Sequence, residues 1–233
     1  MENLPILIIA AIIASIVLIA FLFSKKAMVK RKLKKAIAKP ISDVRDGEFV
    51  KIIGKVTLVG DALKAPLSGR DCAYYYVHVE KKVSSGKSSH WSTIIEEEVG
   101  GSYVINDGTN NAFINSRQIK SYLVEDRKYY SGVWDDASEV LENYLRKHDQ
   151  HSEGMLGFNK KIRYKEGILE PQEMIAVFGK AQWKEADELK LPDSFGKILS
   201  LYSTENVPVY LSDDPDVLKN KKRERYSKNY ERH

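Results

Sequence analysis

His148 and His151 stand three residues apart, with Asp149 between them and Glu153 close by. Imidazole and carboxylate groups at such spacing are ligands for zinc-like cations, although solvated side chains at a helix end are the plainer expectation. Cys72 follows Arg70 by two residues, and a guanidinium beside a thiol favours the reactive thiolate. A cysteine opening a strand more often serves as a small buried apolar group. Ser68 sits in the turn Pro66-Leu67-Ser68-Gly69, without the strand–Ser–helix setting of a nucleophile elbow and with no histidine placed to activate it. Tyr74, Tyr75 and Tyr76 offer aromatic faces of the kind on which single-stranded nucleic acid stacks. No phosphate-cradling glycine loop and no H-E-x-x-H pattern occurs. These residues therefore predict neither catalytic residues nor a cofactor.

Charge is segregated along the chain. Residues 1–39 carry +7, residues 219–233 carry +5, and the stretch between them carries −7, which sums to the overall +5. A nucleic-acid function read from the basic isoelectric point alone would thus misplace the charge, because phosphate is repelled by the acidic body. One cysteine excludes a disulfide framework, and with five histidines it cannot supply the paired zinc sites of a RING.

Leu4–Phe23 is an uncharged run of twenty residues, fourteen of them Leu, Ile, Val or Phe. As a helix it would measure about 30 Å, matching a hydrocarbon core, and its insertion is favoured by about 4–8 kcal/mol. Basic residues follow the run rather than precede it, which is the pattern of an anchor and not of a cleaved signal. The same asymmetry puts Met1–Asn3 outside and everything after the run in the cytoplasm of a cell membrane. Lys25, Lys26, Lys30, Arg31, Lys32, Lys34 and Lys35 are the candidate membrane-surface residues, in a basic arm over residues 24–39 where Val29, Leu33 and Ile37 repeat every four positions. That spacing predicts a helix leaving the bilayer with its charges near anionic headgroups.

After Pro40 the pattern becomes β-rich. Phe49–Val56 and Tyr74–Glu80 have the β-branched and aromatic content of strands. Tyr103–Ile105 and Ala112–Ile114 flank an Asp107-Gly108 turn, and Gln118–Val124 and Lys161–Tyr164 are further strand candidates. Ser84–Ser89 reads as a mobile loop. Ala137–Lys147 is the one interior helix, with Val140, Leu141, Tyr144 and Leu145 as its stripe. Glu48–Val56 also aligns with Glu173–Ala181, sharing Glu, Gly and Lys, and suggests two short curved sheets that each open with a Gly-bent strand. The expected fold is mainly β (α+β): a body over residues 40–212, OB-like in its barrels, then a basic segment over 213–233 that starts as a helix capped by Asp214 with Pro215 next.

The string Ala65-Pro66-Leu67-Ser68-Gly69-Arg70-Asp71-Cys72-Ala73-Tyr74-Tyr75 resembles the "APLSGRxCxYY" opening of the GIDE, or beside-a-membrane, domain of Mulan-type mitochondrial ubiquitin ligases and their shorter prokaryotic relatives. Asp107-Gly108-Thr109-Asn110 is similar to that family's mid-domain D-G-T-G turn. Tyr164, Glu166, Leu169, Pro171, Glu173, Val177 and Gly179 match its later "Y-x-E-x-x-L-x-P-x-E-x-x-x-V-x-G" string, so the resemblance spans roughly residues 41–212. It implies a membrane-tethered, β-rich module beside a bilayer. The family's longer members carry a RING, so a part in ubiquitin transfer here would need a RING or its equivalent from another chain.

The leading expectation is a single-pass, non-catalytic interaction module that docks a membrane or membrane-proximal protein. Pro66, Leu67, Ser68, Gly69, Arg70, Tyr74 and Tyr75 are its candidate partner-binding residues, with Ser84–Ser89 as a second contact. The alternatives are a component of a ubiquitin-type ligase system and an OB-like single-strand nucleic-acid binder.

Overall fold

The structure, a computed structural model, describes residues 24–86, 88–116, 118–131, 138–151 and 161–219. The apolar run Leu4–Phe23 and the tail from Asn220 lie outside the described residues, and among those described no helix is long and apolar enough to cross a membrane. The fold is mainly β, with a five-stranded mixed barrel, a four-stranded sheet and few helices. In chain order come α1 (Lys25–Lys35), β1 (Phe49–Leu58), β2 (Leu63–Lys64), β3 (Asp71–Cys72), β4 (Tyr74–Ser85), β5 (Ser88–Gly100), β6 (Tyr103–Asn106) and β7 (Asn111–Ile114). They are followed by β8 (Ile119–Tyr122), β9 (Arg127–Ser131), α2 (Glu139–Lys147), β10 (Ile162–Leu169), β11 (Met174–Glu185), β12 (Lys197–Tyr202), β13 (Val209–Ser212) and α3 (Pro215–Leu218). Two compact units share the chain. Of the described residues, one holds those up to Gly54, within Asp107–Tyr122 and from Ile175 on, and the other holds those within Lys55–Asn106 and Leu123–Met174.

In the first unit β11 is the spine. Ile175, Ala176, Val177 and Phe178 are all buried, the continuous apolar run of a strand covered on both faces. Ala176–Phe178 pair antiparallel with β13, and Lys180–Glu185 pair antiparallel with β12. Gly179 is where β11 passes from one partner to the other. A Cβ there would lie 3.2 Å from Val209 Cγ2 and 3.3 Å from the Tyr202 carbonyl, so close approach of neighbours explains this glycine. Parallel pairings add β7 to β12 and β8 to β13. The two copies of the sequence repeat do not open separate sheets as expected. They lie antiparallel against each other, with Ala181 N–H donating to Glu48 O at 2.9 Å and Val56 N–H to Glu173 O at 2.9 Å.

α1 belongs to this unit. Ser24 caps it by accepting from Ala27 N–H, and Val29 and Leu33, both 0% exposed, pack on Ala176, Phe178 and Val217. The helix stops at Lys35, because Ala36 is already extended and Ala38 forms a bridge to Lys51. Ile37, the third residue of the expected stripe, is consequently 53% exposed. Asp214 caps α3 with Pro215 in its first turn, as the sequence predicts, and Val217 is buried, so residues 213–218 are part of this unit and not of a separate tail.

The second unit holds an antiparallel sheet of order β5-β4-β10-β9. Residues 84–89 are not the expected loop: Ser84 pairs with Ser89 and Ser85 with Ser88, at the tip of a long β4–β5 hairpin that turns at Gly86. Serines carry little strand propensity, and the cross-strand ladder imposes the conformation instead. Ser138 caps α2 by accepting from Leu141 N–H. Leu141, Tyr144 and Leu145 seat α2 on Val77, Val79, Ile95 and Ile162, each burial worth about 1.5–3 kcal/mol. Val140, the fourth member of the expected stripe, is 49% exposed.

Candidate docking site at the Pro66–Arg70 turn

β2 and β3 form a short ladder, Leu63 opposite Cys72 and Lys64 opposite Asp71, and the turn closes its end. Ala65 N–H donates to Arg70 O, and Gly69 N–H donates to Ala65 O, both at 2.9 Å. Gly69 has φ +71, a left-handed conformation that a side chain would strain. Leu67 N–H donates to Glu166 Oε1 at 2.9 Å, and Glu166 is only 1% exposed. Arg70 bridges Asp126 and Glu170, each at 3.3 Å. Those carboxylates belong to one mesh, since Asp126 accepts from Ile168 N–H at 2.9 Å and Glu173 accepts from Glu170 N–H at 2.7 Å.

The turn is thus a clasp. Pro66, Leu67, Ser68 and Arg70 are half-buried and only Gly69 is fully exposed. Ser68 Oγ, Arg70 Nε and Glu166 Oε2 are enclosed without a hydrogen-bond partner. No base stands over Ser68 in this bonding pattern, and the Arg70 guanidinium is committed to carboxylates. Cys72 is 0% exposed, and burial pushes its thiol up to about 11, with Glu166, Asp71 and Glu170 adding to the effect and outweighing Arg70. The reactive-thiol expectation fails for that reason, and the small-apolar one describes the residue.

The tyrosines do not make a stacking platform. Consecutive strand residues face opposite sides, and each hydroxyl is tied to a glutamate of β5: Tyr74 to Glu98 at 2.7 Å, Tyr75 to Glu97 at 3.3 Å and Tyr76 to Glu96 at 3.3 Å. Tyr144 of α2 also donates to Glu97, at 2.8 Å. Burial, then the Glu97 charge, pushes the Tyr75 hydroxyl up to about 12. A phosphate backbone would meet Glu96 and Glu98 on the face of Tyr74 and Tyr76, and Glu97 on the face of Tyr75.

His148 caps the end of α2, with its ring edge-on to Tyr144 at 4.7 Å and Nε2 3.8 Å from Glu97 Oε1. His151 is exposed and Glu153 lies outside the described residues. Among the described residues no group of His, Cys, Asp and Glu side chains is arranged to hold a metal ion. Ser84, Ser88, Ser89 and His90 are exposed at the hairpin tip.

The basic arm is largely turned toward the protein. Lys30 Nζ lies 2.7 Å from Asp214 and 3.1 Å from Asp216, and Lys34 Nζ lies 3.0 Å from Asp216. Lys32 stands 4.3 Å over the Phe178 ring and Lys26 4.5 Å over Tyr122. The partners Glu166, Asp126, Glu170, Glu97, Asp214 and Asp216 were not singled out as partners by sequence reasoning, because isolated carboxylates carry no spacing signal. Of these, Glu166 stood in the later string and Asp214 in a helix-capping pair with Pro215. No family model, curated protein or solved structure matches the chain.

Proposed function

We propose that this chain is a single-pass membrane-anchored, non-catalytic docking module of the GIDE or beside-a-membrane type, with an OB-like β-rich head on the cytoplasmic side. The observation that carries the reading is the seat of α1. The helix is capped by Ser24, the residue after the apolar run, and is clamped through Val29, Leu33, Lys30 and Lys34. A head joined to its anchor without slack presents its surface to partners in the same membrane, and the resulting effective concentration makes modest contact affinity sufficient. The family resemblance is supported by where its two strings go. Leu67 bonds Glu166, Arg70 bonds Glu170 and Ala73 N–H bonds Leu169 O at 2.7 Å, so the opening string and the later string are packed on each other.

Exposed Asp71 beside the turn and Ser89 at the hairpin tip are the positions from which a docked protein is reached. Photocrosslinkers placed there in native membranes should capture a common membrane-proximal partner. A capture profile identical to that of a chain consisting of residues 1–39 alone would refute the docking reading, and release of the intact chain by alkaline carbonate would refute the anchor. The ubiquitin-ligase reading shares this geometry and predicts that the captured partner carries a RING. The row Glu96–Glu98 along the tyrosines disfavours the nucleic-acid reading.

A further inference from the structure

α1 sorts the basic residues of the arm by direction. Val29 and Leu33 define its buried side, and Lys30, Lys32 and Lys34 reach around to Asp214, Asp216 and Phe178. At about 100° per residue, positions 31 and 35 fall on the opposite side, one turn apart, and both Arg31 and Lys35 are exposed. Ile37 follows directly and is 53% exposed, a large aliphatic side chain held out of the core by the bridge of its neighbour Ala38 to Lys51.

We infer that Arg31, Lys35 and Ile37 form a contact surface for an anionic bilayer leaflet, so that α1 lies along the membrane interface with the strands it packs on behind it. The inference rests on the anchor reading above and specifies which part of the arm meets lipid. Two arguments name the occupant. Two cations beside an exposed aliphatic group are complementary to a headgroup layer, where each basic residue gains about 1 kcal/mol and apolar side chains enter the acyl boundary. Chain continuity supplies the second. Arg31 and Lys35 are eight and twelve residues past Phe23, and a helix standing upright on the bilayer would carry them about 12 and about 18 Å away, beyond the roughly 8–10 Å reach of surface charge. A helix lying flat keeps both cations at the headgroups, with exposed Ile37 two residues beyond its end.

The test uses the full chain reconstituted in vesicles, with Ile37→Cys carrying an environment-sensitive fluorophore; the buried Cys72 stays unlabelled. Vesicles of brominated phosphatidylcholine are compared with vesicles that also contain about 30 mol% phosphatidylserine. Phosphatidylserine should increase quenching, and Arg31→Gln and Lys35→Gln should each lower the ratio of docked to undocked label about fivefold. Lys64→Gln, which removes an exposed charge on β2 outside the arm, should leave the phosphatidylserine-dependent part unchanged. Equal quenching in both vesicles would overturn the inference, and so would a loss with Lys64→Gln as large as with Arg31→Gln. Carbonate extraction of the same vesicles separates the two claims: a chain that stays integral while its label ignores phosphatidylserine sinks only this surface, whereas an extractable chain sinks the anchor itself.

Discussion

Leu33→Ala tests whether the arm is a structural part of the head. Leu33 is 0% exposed and packs with Val29, Ala176, Phe178 and Val217. Truncating such a leucine removes its transfer energy and leaves a cavity, at a cost of about 2–5 kcal/mol. A value near 3 kcal/mol corresponds to about a hundredfold or more in the equilibrium constant and lowers the midpoint of a chain this size by about 6–12 °C. The loss is capped by the docking energy of α1, because the helix can detach while the strands stay folded. Hydrogen exchange on the detergent-solubilised full chain distinguishes the two routes, since amides such as Met28 N–H, bonded to Ser24 O at 3.0 Å, report the helix alone. Detachment raises exchange in α1 first, with β11 and β12 unchanged. Ile37→Ala is the control, and at 53% exposure it should cost less than about 0.5 kcal/mol. If Leu33→Ala and Ile37→Ala were indistinguishable in both stability and exchange, α1 would be a plain linker and the slack-free anchor would be wrong.

Cys72 in the native chain should resist maleimide at pH 8 and react only once denaturant exposes it; rapid native labelling would contradict a thiol pushed up to about 11 by burial. Glu166→Ala should destabilise the second unit by about 1–3 kcal/mol in urea melts, because Leu67 N–H loses its acceptor inside the protein. Glu166→Gln keeps an acceptor for Leu67 N–H and should cost less than Glu166→Ala; equal losses for both variants would remove the clasp. Asp107 accepts from Ile41, Thr109 and Asn110 N–H, and although burial opposes ionisation these bonds outweigh it and hold the carboxyl below its ordinary value. Its contribution is therefore complete above the unfolded value of about 3.9 and fades as pH falls through the lower folded one. Asp107→Ala should show its full deficit at pH 6 and converge on the parent in strong acid, which a pair of urea titrations would check.

Strands with β-branched or aromatic residues were legible in the sequence, as β1, β4, β6 and β7 show, and so were α2, from its stripe of Leu141, Tyr144 and Leu145, and the start of α3, from the Asp214-Pro215 signal. What stayed hidden is whatever depends on a distant partner. The serine-rich end of β4 and β5 is strand because each residue faces its mate across the hairpin. β2, β5, β9, β12 and β13 were not anticipated, and β12 and β13 are short strands held by neighbours far along the chain. In the arm, the stripe of Val29 and Leu33 signalled an apolar face without naming what covers it, and two of the lysines expected at a bilayer, Lys30 and Lys34, are paired with Asp214 and Asp216. In the turn, Pro66–Arg70 was recognisable as a unit, but its ties to Glu166, Asp126 and Glu170 explain why it is half-buried.

The negative charge of the body has a structural cause that bears on the proposed docking. Short strands joined by many turns leave backbone N–H groups outside any ladder, and each needs an acceptor. Carboxylates fill that need repeatedly: Asp107 for Ile41, Thr109 and Asn110, Glu166 for Leu67, Asp126 for Ile168, Glu173 for Glu170, Glu48 for Arg45 and Asp46 for Trp183. Others receive tyrosine hydroxyls or the lysines of α1. Acidity of this kind is bound up in the fold and is a poor lure for a basic partner, because engaging it would break the bonds that shape the turns. On the docking reading proposed above, specificity would come from the exposed rims of turns and the hairpin tip, while the carboxylates Asp214 and Asp216 act inward and hold the basic helix α1 in place.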